Sequence, residues 1–303
     1  MTTRPYFLWD YDLTEDEVQT LLRTGDEETR IWLASRILES ASYADVWRYL
    51  SLAELRAIFP HLKLNRQCVK RGRMRCMYGK QHPAMDANTT LQDRFLAQFF
   101  VSAVADSFYL TGGTALARFY FHHRESIDLD LFTNQTDADF DTVNRAILGI
   151  LHKLDLRIQS QVTTATFLQY IVLDGHGVSL KVDVVRDVPV YFGVTHTVGG
   201  IRLDSLENIG MNKVLAVFGR TDAKDFIDLY WILQRTGLTF DYLYSLAKEK
   251  DLGLSELYLA YALHNAIKIK LFPRMLEPLP WDHILVFFEG LAKDLLLRAA
   301  PDQ

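Results

Sequence analysis

The most constraining feature of this sequence is a change of rhythm about a third of the way along, where helical spacing gives way to strands across two adjacent glycines. Phe108 to Thr111 is a short apolar run, Gly112-Gly113 breaks it, and Thr114 to about His122 has helical composition. Strand, tight turn and helix in that order leave backbone N–H groups free at the turn, where the helix dipole favours an anion. A polar segment, His123-Arg124-Glu125-Ser126, leads into a second strand from Ile127 to Phe132. Alternation along that strand puts Ile127, Leu129 and Leu131 on one face and Asp128 and Asp130 on the other.

Two more strands are expected at 167–173 and 178–185, joined by the hairpin signal Asp174-Gly175-His176-Gly177. In the second of these Val178, Leu180, Val182 and Val184 take the buried face, and Lys181 and Asp183 the opposite one. Carboxylates two apart on a strand are spaced at roughly 6.6 Å and project the same way, so Asp128 and Asp130 can share a divalent ion. A neighbouring strand can add Asp183. Hard oxygen ligands of this kind suit Mg²⁺ or Mn²⁺, which clamp the attacking and leaving oxygens in phosphoryl transfer. An Asp-x-Asp pair alone equally fits a solvent-facing strand. The turn Gly112-Gly113-Thr114 shifts the balance, because it would bring a phosphate cradle to the same place. Ser126, two residues before Asp128, projects from the same face.

Helices surround these strands. One is expected from Asn88 to Asp106 and one at 140–154, with Phe140, Val143, Ile147, Ile150 and Leu154 at helical spacing. From Asp204 the chain reads as helical to its end, with segments to Gly219, from Asp222 to Gly237, and at 241–249, 254–270 and 281–298. Asp204 and Glu207 stand at capping-box spacing, and Asp222 can cap the following helix. Lys213 and Arg220 are seven apart on one helix face, and Lys224 and Asp228 four apart on the next. Such a face can hold a triphosphate opposite the metal, whereas Arg220, Asp225 and Asp228 equally suit an ion-pair network tying two helices together. Lys213 has Ile209 and Val217 at i±4 and no local acid, which favours a phosphate role. His122 and His123, at a helix C-terminus, read as structural, and His176 lies in a turn.

The N-terminal part differs. Residues 1–60 read as a helical module with apolar Ile31, Ala34, Ile37 and Leu38, then Val46, Trp47 and Leu50, then a Ser51/Glu54 capping box. Trp9, Trp32 and Trp47 belong to its core. Residues 1–54 carry eleven Asp/Glu against five Arg, whereas from Arg56 to Lys80 there are eight Lys/Arg and no acid. Residues 61–87 read as a basic linker, which can contact polyphosphate or nucleic acid or can simply be solvated. Cys68 and Cys76 fit neither a zinc site nor a disulfide framework, so a reducing, intracellular setting is expected. No signal-peptide core is present, and no apolar run approaches the roughly 18 residues of a membrane span. A soluble cytoplasmic protein follows. With 303 residues, 49% of them hydrophobic, about two globular domains are expected.

Three blocks, "YLTGGTALARFYFHHRESIDLDLF", "LKVDVV" and "LENIGMNKVLAVFGRTDAKDFIDLYWIL", resemble the AbiEii/AbiGii-type nucleotidyltransferase toxins of the polymerase-beta-like nucleotidyltransferase superfamily. The resemblance covers about residues 90–235, roughly half the chain. It implies an α/β (α+β) fold: a nucleotidyltransferase core at 88–203 with a small mixed sheet, a C-terminal helical bundle at 204–303 and the N-terminal helical module. It also implies a bacterial or archaeal toxin–antitoxin or abortive-infection enzyme that moves NMP from an NTP to an acceptor hydroxyl. Gly112, Gly113 and Thr114 match the phosphate turn, Arg124 and Ser126 the polar lead-in, and Asp128, Asp130 and Asp183 the metal acids. Lys213, Arg220, Lys224, Asp225 and Asp228 match the lysine and the Arg-x-x-[Lys/Arg]-Asp-x-x-Asp helix pair, with Lys181 as a supporting cation for the nucleotide. The family's acceptor points to RNA, particularly the tRNA 3′ end. One departure is Glu207-Asn208-Ile209-Gly210, where the family more often has a helix-favouring Ala. More loosely, residues 5–50 resemble the small antitoxin partners of such enzymes, so an antitoxin partner or an intramolecular inhibitory module is expected. The alternatives are a small-molecule, antibiotic-type nucleotidyltransferase and a catalytically silent binding module whose N-terminal segment occupies the site.

Overall fold

The computed structural model of the chain describes residues 5–8, 11–41, 43–51, 54 and 85–299. Most of the linker, the basic stretch from Arg56 to Lys80, both cysteines, Trp9 and the expected helix beyond Glu54 lie outside the described residues, as does the Trp47 side chain.

The N-terminal module contains α1 (Glu15–Thr24), α2 (Glu27–Ser40) and α3 (Tyr43–Tyr49). Thr14 and Glu17 close a reciprocal capping box on α1, and Asp26 caps α2 by accepting the Thr29 amide at 2.9 Å. Val18, Leu22, Leu33, Ile37 and Val46 meet Phe7, Leu8 and Tyr11 in a core of their own. Trp32 packs on that core, its ring edge-to-face with Tyr11 at 4.8 Å, as its position predicts. The Ser51/Glu54 box is present, with the Glu54 amide donating to Ser51 Oγ at 3.2 Å.

The α/β part begins with α4 (Met85–Phe99), which ends seven residues short of the expected Asp106; a 3₁₀ turn at Ala105–Ser107 then leads into β1 (Tyr109–Thr111). The glycine turn opens α5 (Gly112–Ala115), continued by a π-type segment (Leu116–Phe121) that stops at His122 in the left-handed region, φ 54°. Next come β2 (Asp128–Thr133), α6 (Phe140–Lys153), β3 (Arg157–Thr163), β4 (Phe167–Leu173), β5 (Ser179–Arg186), β6 (His196–Val198) and β7 (Ile201–Leu203). They form a seven-stranded mixed sheet in the order β3-β4-β5-β2-β1-β7-β6, with β2 parallel to β5 and β1 parallel to β7. The strands β3, β6 and β7 were not expected. Most of β3 and all of β6 are partly or fully exposed, so they carry no apolar alternation. The β6–β7 turn uses Gly199 and Gly200 at positive φ, 58° and 84°.

Leu129, Leu131, Leu168, Tyr170, Leu180, Val182 and Val184 are buried on one sheet face. Period-2 alternation therefore leaves Asp128, Asp130, Gln169, Lys181 and Asp183 on the other. The helices α7 (Leu206–Gly219), α8 (Ala223–Arg235), α9 (Phe240–Lys250), α10 (Glu256–His264) and α11 (Trp281–Ala299) complete the chain. The expected helix 254–270 survives as α10 and a 3₁₀ turn at Asn265–Lys268. Ser205, not Asp204, caps α7, its Oγ accepting the Asn208 amide at 3.0 Å. Gly210 lets α9 approach α7, because a Cβ there would stand 2.8 Å from a Leu243 methyl. One continuous core runs from Leu91 to Leu295 through sheet and bundle, so the two share a single apolar interior. Among the described residues, no helix is long and apolar enough to cross a membrane.

Candidate active site

Two groups of charged residues lie around the glycine turn. The first is on the sheet. Parallel pairing sets Asp128 beside Lys181 and Asp130 beside Asp183, which brings the three expected acids onto one patch of β2 and β5. Among the described residues no three His, Cys, Asp or Glu side chains are drawn together as a ready-made metal cage. Instead the Lys181 ammonium lies among the acids, 3.0 Å from Asp183 and 3.8 Å from Asp128. Gln169, from β4, donates to Asp183 Oδ1 at 2.9 Å and orients it. Burial pushes the Asp130 carboxyl up to about 6, and the charges of Asp183 and Asp128 push the same way. Burial alone would lower the Lys181 ammonium, but the three acids outweigh it and raise it. The patch thus holds more negative charge than its lysine neutralises, and its hard oxygen donors fit a divalent cation such as Mg²⁺ or Mn²⁺.

The glycines of the turn are required by what they touch. Gly112 has φ 70°, and a Cβ there would stand 2.5 Å from Asp130 Oδ2. At Gly113 a Cβ would stand 2.4 Å from Arg124 Nη2 and 3.0 Å from Ser126 Oγ. Thr114, expected to contact phosphate, is fully buried. Its hydroxyl donates to the Asp128 carbonyl, and its Oγ1 lies 3.0 Å from Ser126 Oγ, so it ties the turn to β2.

The second group is closed. Arg124 grips Asp228 with Nε and Nη2, both at 2.7 Å, and His123 Nε2 lies 2.8 Å from the same carboxylate. Lys213 reaches Asp228 at 2.6 Å and Asp225 at 2.9 Å, and Arg220 Nε donates to Asp225 at 2.6 Å. Asp225 and Asp228 have no exposed surface, and burial would raise both carboxyls; the cations around them outweigh it and hold them below the usual carboxylate range. As the sequence implies, no acid stands at i±4 of Lys213 on its own helix; the acids it meets come from α8, twelve and fifteen residues on. Arg124 is likewise an internal cation, 2% exposed, packed under the turn. Burial lowers the His123 pKa, in keeping with its structural reading. The charge of Lys224 acts on both groups: it opposes the upward push on the Asp130 carboxyl and adds to the lowering of Asp225.

The sequence model of one protein family, described as nucleotidyl transferase AbiEii toxin of a type IV toxin–antitoxin system, matches residues 94–289. The chain belongs to the AbiEii family. It is accordingly a nucleotidyltransferase of a toxin family, with the mixed α/β core expected of one. No relative among curated proteins matches it. Among solved structures it is similar to an H. pylori protein described as a nucleotidyltransferase, at 18% identity over 73% of this chain and 100% of that one, TM-score 0.49. It is also similar to MenT4, a nucleotidyltransferase toxin from Mycobacterium tuberculosis, at 14% identity over 72% of this chain and 88% of that one, TM-score 0.44. The family assignment stands on the sequence match, and these likenesses add nothing to it.

Two residues of the AbiEii-family core escaped sequence reasoning. Asp204 is fully buried beside the turn, where Thr111, the residue paired with Asp130 across β1 and β2, hydrogen-bonds it. Burial pushes its carboxyl up to about 6 against the hydrogen bonds of Thr111, Asn208 and Tyr191. Capping-box spacing with Glu207 masked this role. Gln169 carries no signal beyond its outward place on a strand.

Proposed function

We propose that the protein transfers NMP from an NTP to an acceptor hydroxyl on RNA, the tRNA 3′ end in particular, in the cytoplasm, with Mg²⁺ or Mn²⁺ as cofactor. The observation that carries this reading is the register of β2 and β5, which sets Asp128, Asp130 and Asp183 on one patch against Gly112. These three acids would hold the metal. When bound, such an ion polarises the phosphate and lowers the pKa of the attacking hydroxyl. The backbone of Gly112 and Gly113 offers N–H groups to the β- and γ-phosphates, with Ser126 beside it. Lys181 and Lys224 supply positive charge on the two sides of the acids, and Arg220, whose side chain is 47% exposed, supplies more at the rim. Arg124, Lys213, Asp225 and Asp228 hold that framework in place. In the transfer, the acceptor oxygen forms a bond to the α-phosphorus, the α–β bridging P–O bond breaks, pyrophosphate departs, and Asp183 takes the hydroxyl proton. The toxin–antitoxin family supports an antitoxin partner for the full chain.

The test is incorporation of radiolabelled NTP into total tRNA, protein and an aminoglycoside, with Asp128→Ala as the control. Labelled tRNA supports the proposal. Label confined to the aminoglycoside would favour a small-molecule transferase, and no label in any acceptor would point to a silent binding module.

A further inference from the structure

The N-terminal module has its own core, yet it is fastened to the transferase at a point that bears on the site. Tyr11 donates its hydroxyl to Asp222 Oδ1 at 2.7 Å, a buried contact across 211 residues of sequence, and Arg36 forms an ion pair with Asp222 Oδ2. Trp32 braces both, edge-to-face with Tyr11 at 4.8 Å and 5.9 Å from the Arg36 guanidinium. Around this point Tyr11 bridges to Pro273, Leu271 packs on the module's core, Glu28 pairs with Lys268 at 3.2 Å, and Asp26 pairs with Lys270.

Asp222 is the N-cap of α8, its carboxylate accepting the Lys224 amide at 3.4 Å and its carbonyl the Asp225 amide at 3.0 Å. An N-cap carboxylate ordinarily faces water. This one is 2% exposed, and a buried carboxylate is tolerated only with hydrogen-bonding or charged partners. Here those partners come from the module. Without them Asp222 would turn toward water, and that change weakens the first turn of α8. That turn carries Lys224 and Asp225, with Asp228 one turn on.

We propose that Tyr11 and Arg36 are positioning residues for the transferase, acting through Asp222 to fix the start of α8 and with it the Lys224 side chain and the Asp225–Lys213–Arg220 group. The module is then a working part of the enzyme and not a cover over its acids. The effect on transfer rests on the function proposed above; the effect on α8 does not.

The experiment uses full-length Tyr11→Phe, Arg36→Gln and Arg36→Lys. Amide hydrogen exchange is read at 225–228, with α11 as an internal control, and NTP kinetics are measured in parallel. Arg36→Gln is expected to speed exchange at 225–228 by about tenfold or more, the scale for removing the charged partner of a buried carboxylate, with α11 unchanged. Tyr11→Phe should do the same to a smaller extent, and Arg36→Lys should restore most of the protection. The apparent KM for NTP should rise in Arg36→Gln more than kcat falls. In an Asp222→Asn background, Arg36→Gln should add little, because the two act through one group. Unchanged exchange at 225–228, equal acceleration in α11, or faster turnover in Arg36→Gln would overturn the proposal. A wild-type chain that transfers no nucleotide would sink the transferase reading instead, and the exchange data would still decide the coupling.

Discussion

The two charged groups on either side of the glycine turn are built on opposite principles. On the sheet, Asp128, Asp130 and Asp183 surround one lysine, and Asp130 is left with its carboxyl pushed up to about 6. Between α7 and α8, Asp225 and Asp228 are gripped by Lys213, Arg124 and Arg220, and both carboxyls are held down. Each buried charge carries a desolvation cost, and the helical group offsets it internally while the sheet group does not. A cluster in which three cations already grip two carboxylates has no use for a further cation. One left short of positive charge is where a cation and its bound phosphates gain most, so electrostatics separates working residues from supporting ones although both kinds are acids and bases in the same sequence blocks.

The largest expected effect breaks the comparison on the sheet side. Replacing Asp128 with Ala should lower transfer by on the order of 10³-fold, the scale for losing a group that stabilises transition-state charge. The thermal midpoint should not fall, because the change removes one of three mutually repelling carboxylates. A large drop in stability with activity retained would show that the sheet acids are structural.

On the helical side the signs reverse. Lys213→Met should cost about 3 kcal/mol of stability, the range for removing one partner of a buried ion pair. Nucleotide affinity, measured by calorimetry on the folded variant, should change far less. A stable Lys213→Met protein that no longer binds NTP would return this lysine to the phosphate-binding role that its sequence context suggests.

The adjacent glycines allow a finer comparison, since each rests against a different group. Gly112→Ala forces a side chain into the left-handed region and onto Asp130, and should cost about 1–3 kcal/mol together with most of the activity. Gly113→Ala drives its methyl against Arg124 Nη2 and should register mainly as lost stability. Equal activity losses at matched stability would mean that the turn responds as one unit.

How much of this was legible beforehand depends on where each residue's partners come from. Period-2 alternation located the acids because strand neighbours are fixed by local geometry, and the β2–β5 pairing only had to confirm that Asp130 and Asp183 are adjacent. The Asp222 cap and the Asp174–Gly177 hairpin were also readable, being contacts of two to four residues' span. The acids that meet Lys213 were not legible, because they come from a second helix and not from its own i±4 neighbours. Thr114 and Arg124 looked like ligand contacts because they stand in the right block, yet packing turns both inward. The short strands β6 and β7 bury too little apolar surface to leave a pattern.

The smallest effect concerns acid, and it distinguishes the two groups within one titration. Asp130 has a folded-state pKa above its ordinary value, from 3.8 to about 6, so folding favours its protonated form. The stability linked to this group is fully present below about pH 4 and is lost as pH rises through 6. Asp225 and Asp228 are depressed, so the stability they contribute is present above the ordinary carboxylate range and is lost only as pH falls well below it. In the metal-free protein, Asp130→Asn should therefore raise the thermal midpoint at pH 7 and leave it unchanged near pH 4. Lys213→Met should lower it at pH 7, with the deficit shrinking under strongly acidic conditions as the helical carboxylates protonate. Added Mg²⁺ or Mn²⁺ should raise the wild-type midpoint at pH 7 and do less for Asp130→Asn, because the ion offsets a repulsion that the substitution has already removed. If the Asp130→Asn midpoint instead falls at pH 7 in the absence of metal, Lys181 already neutralises the patch, and the contrast between an undercompensated sheet and a compensated helix pair fails.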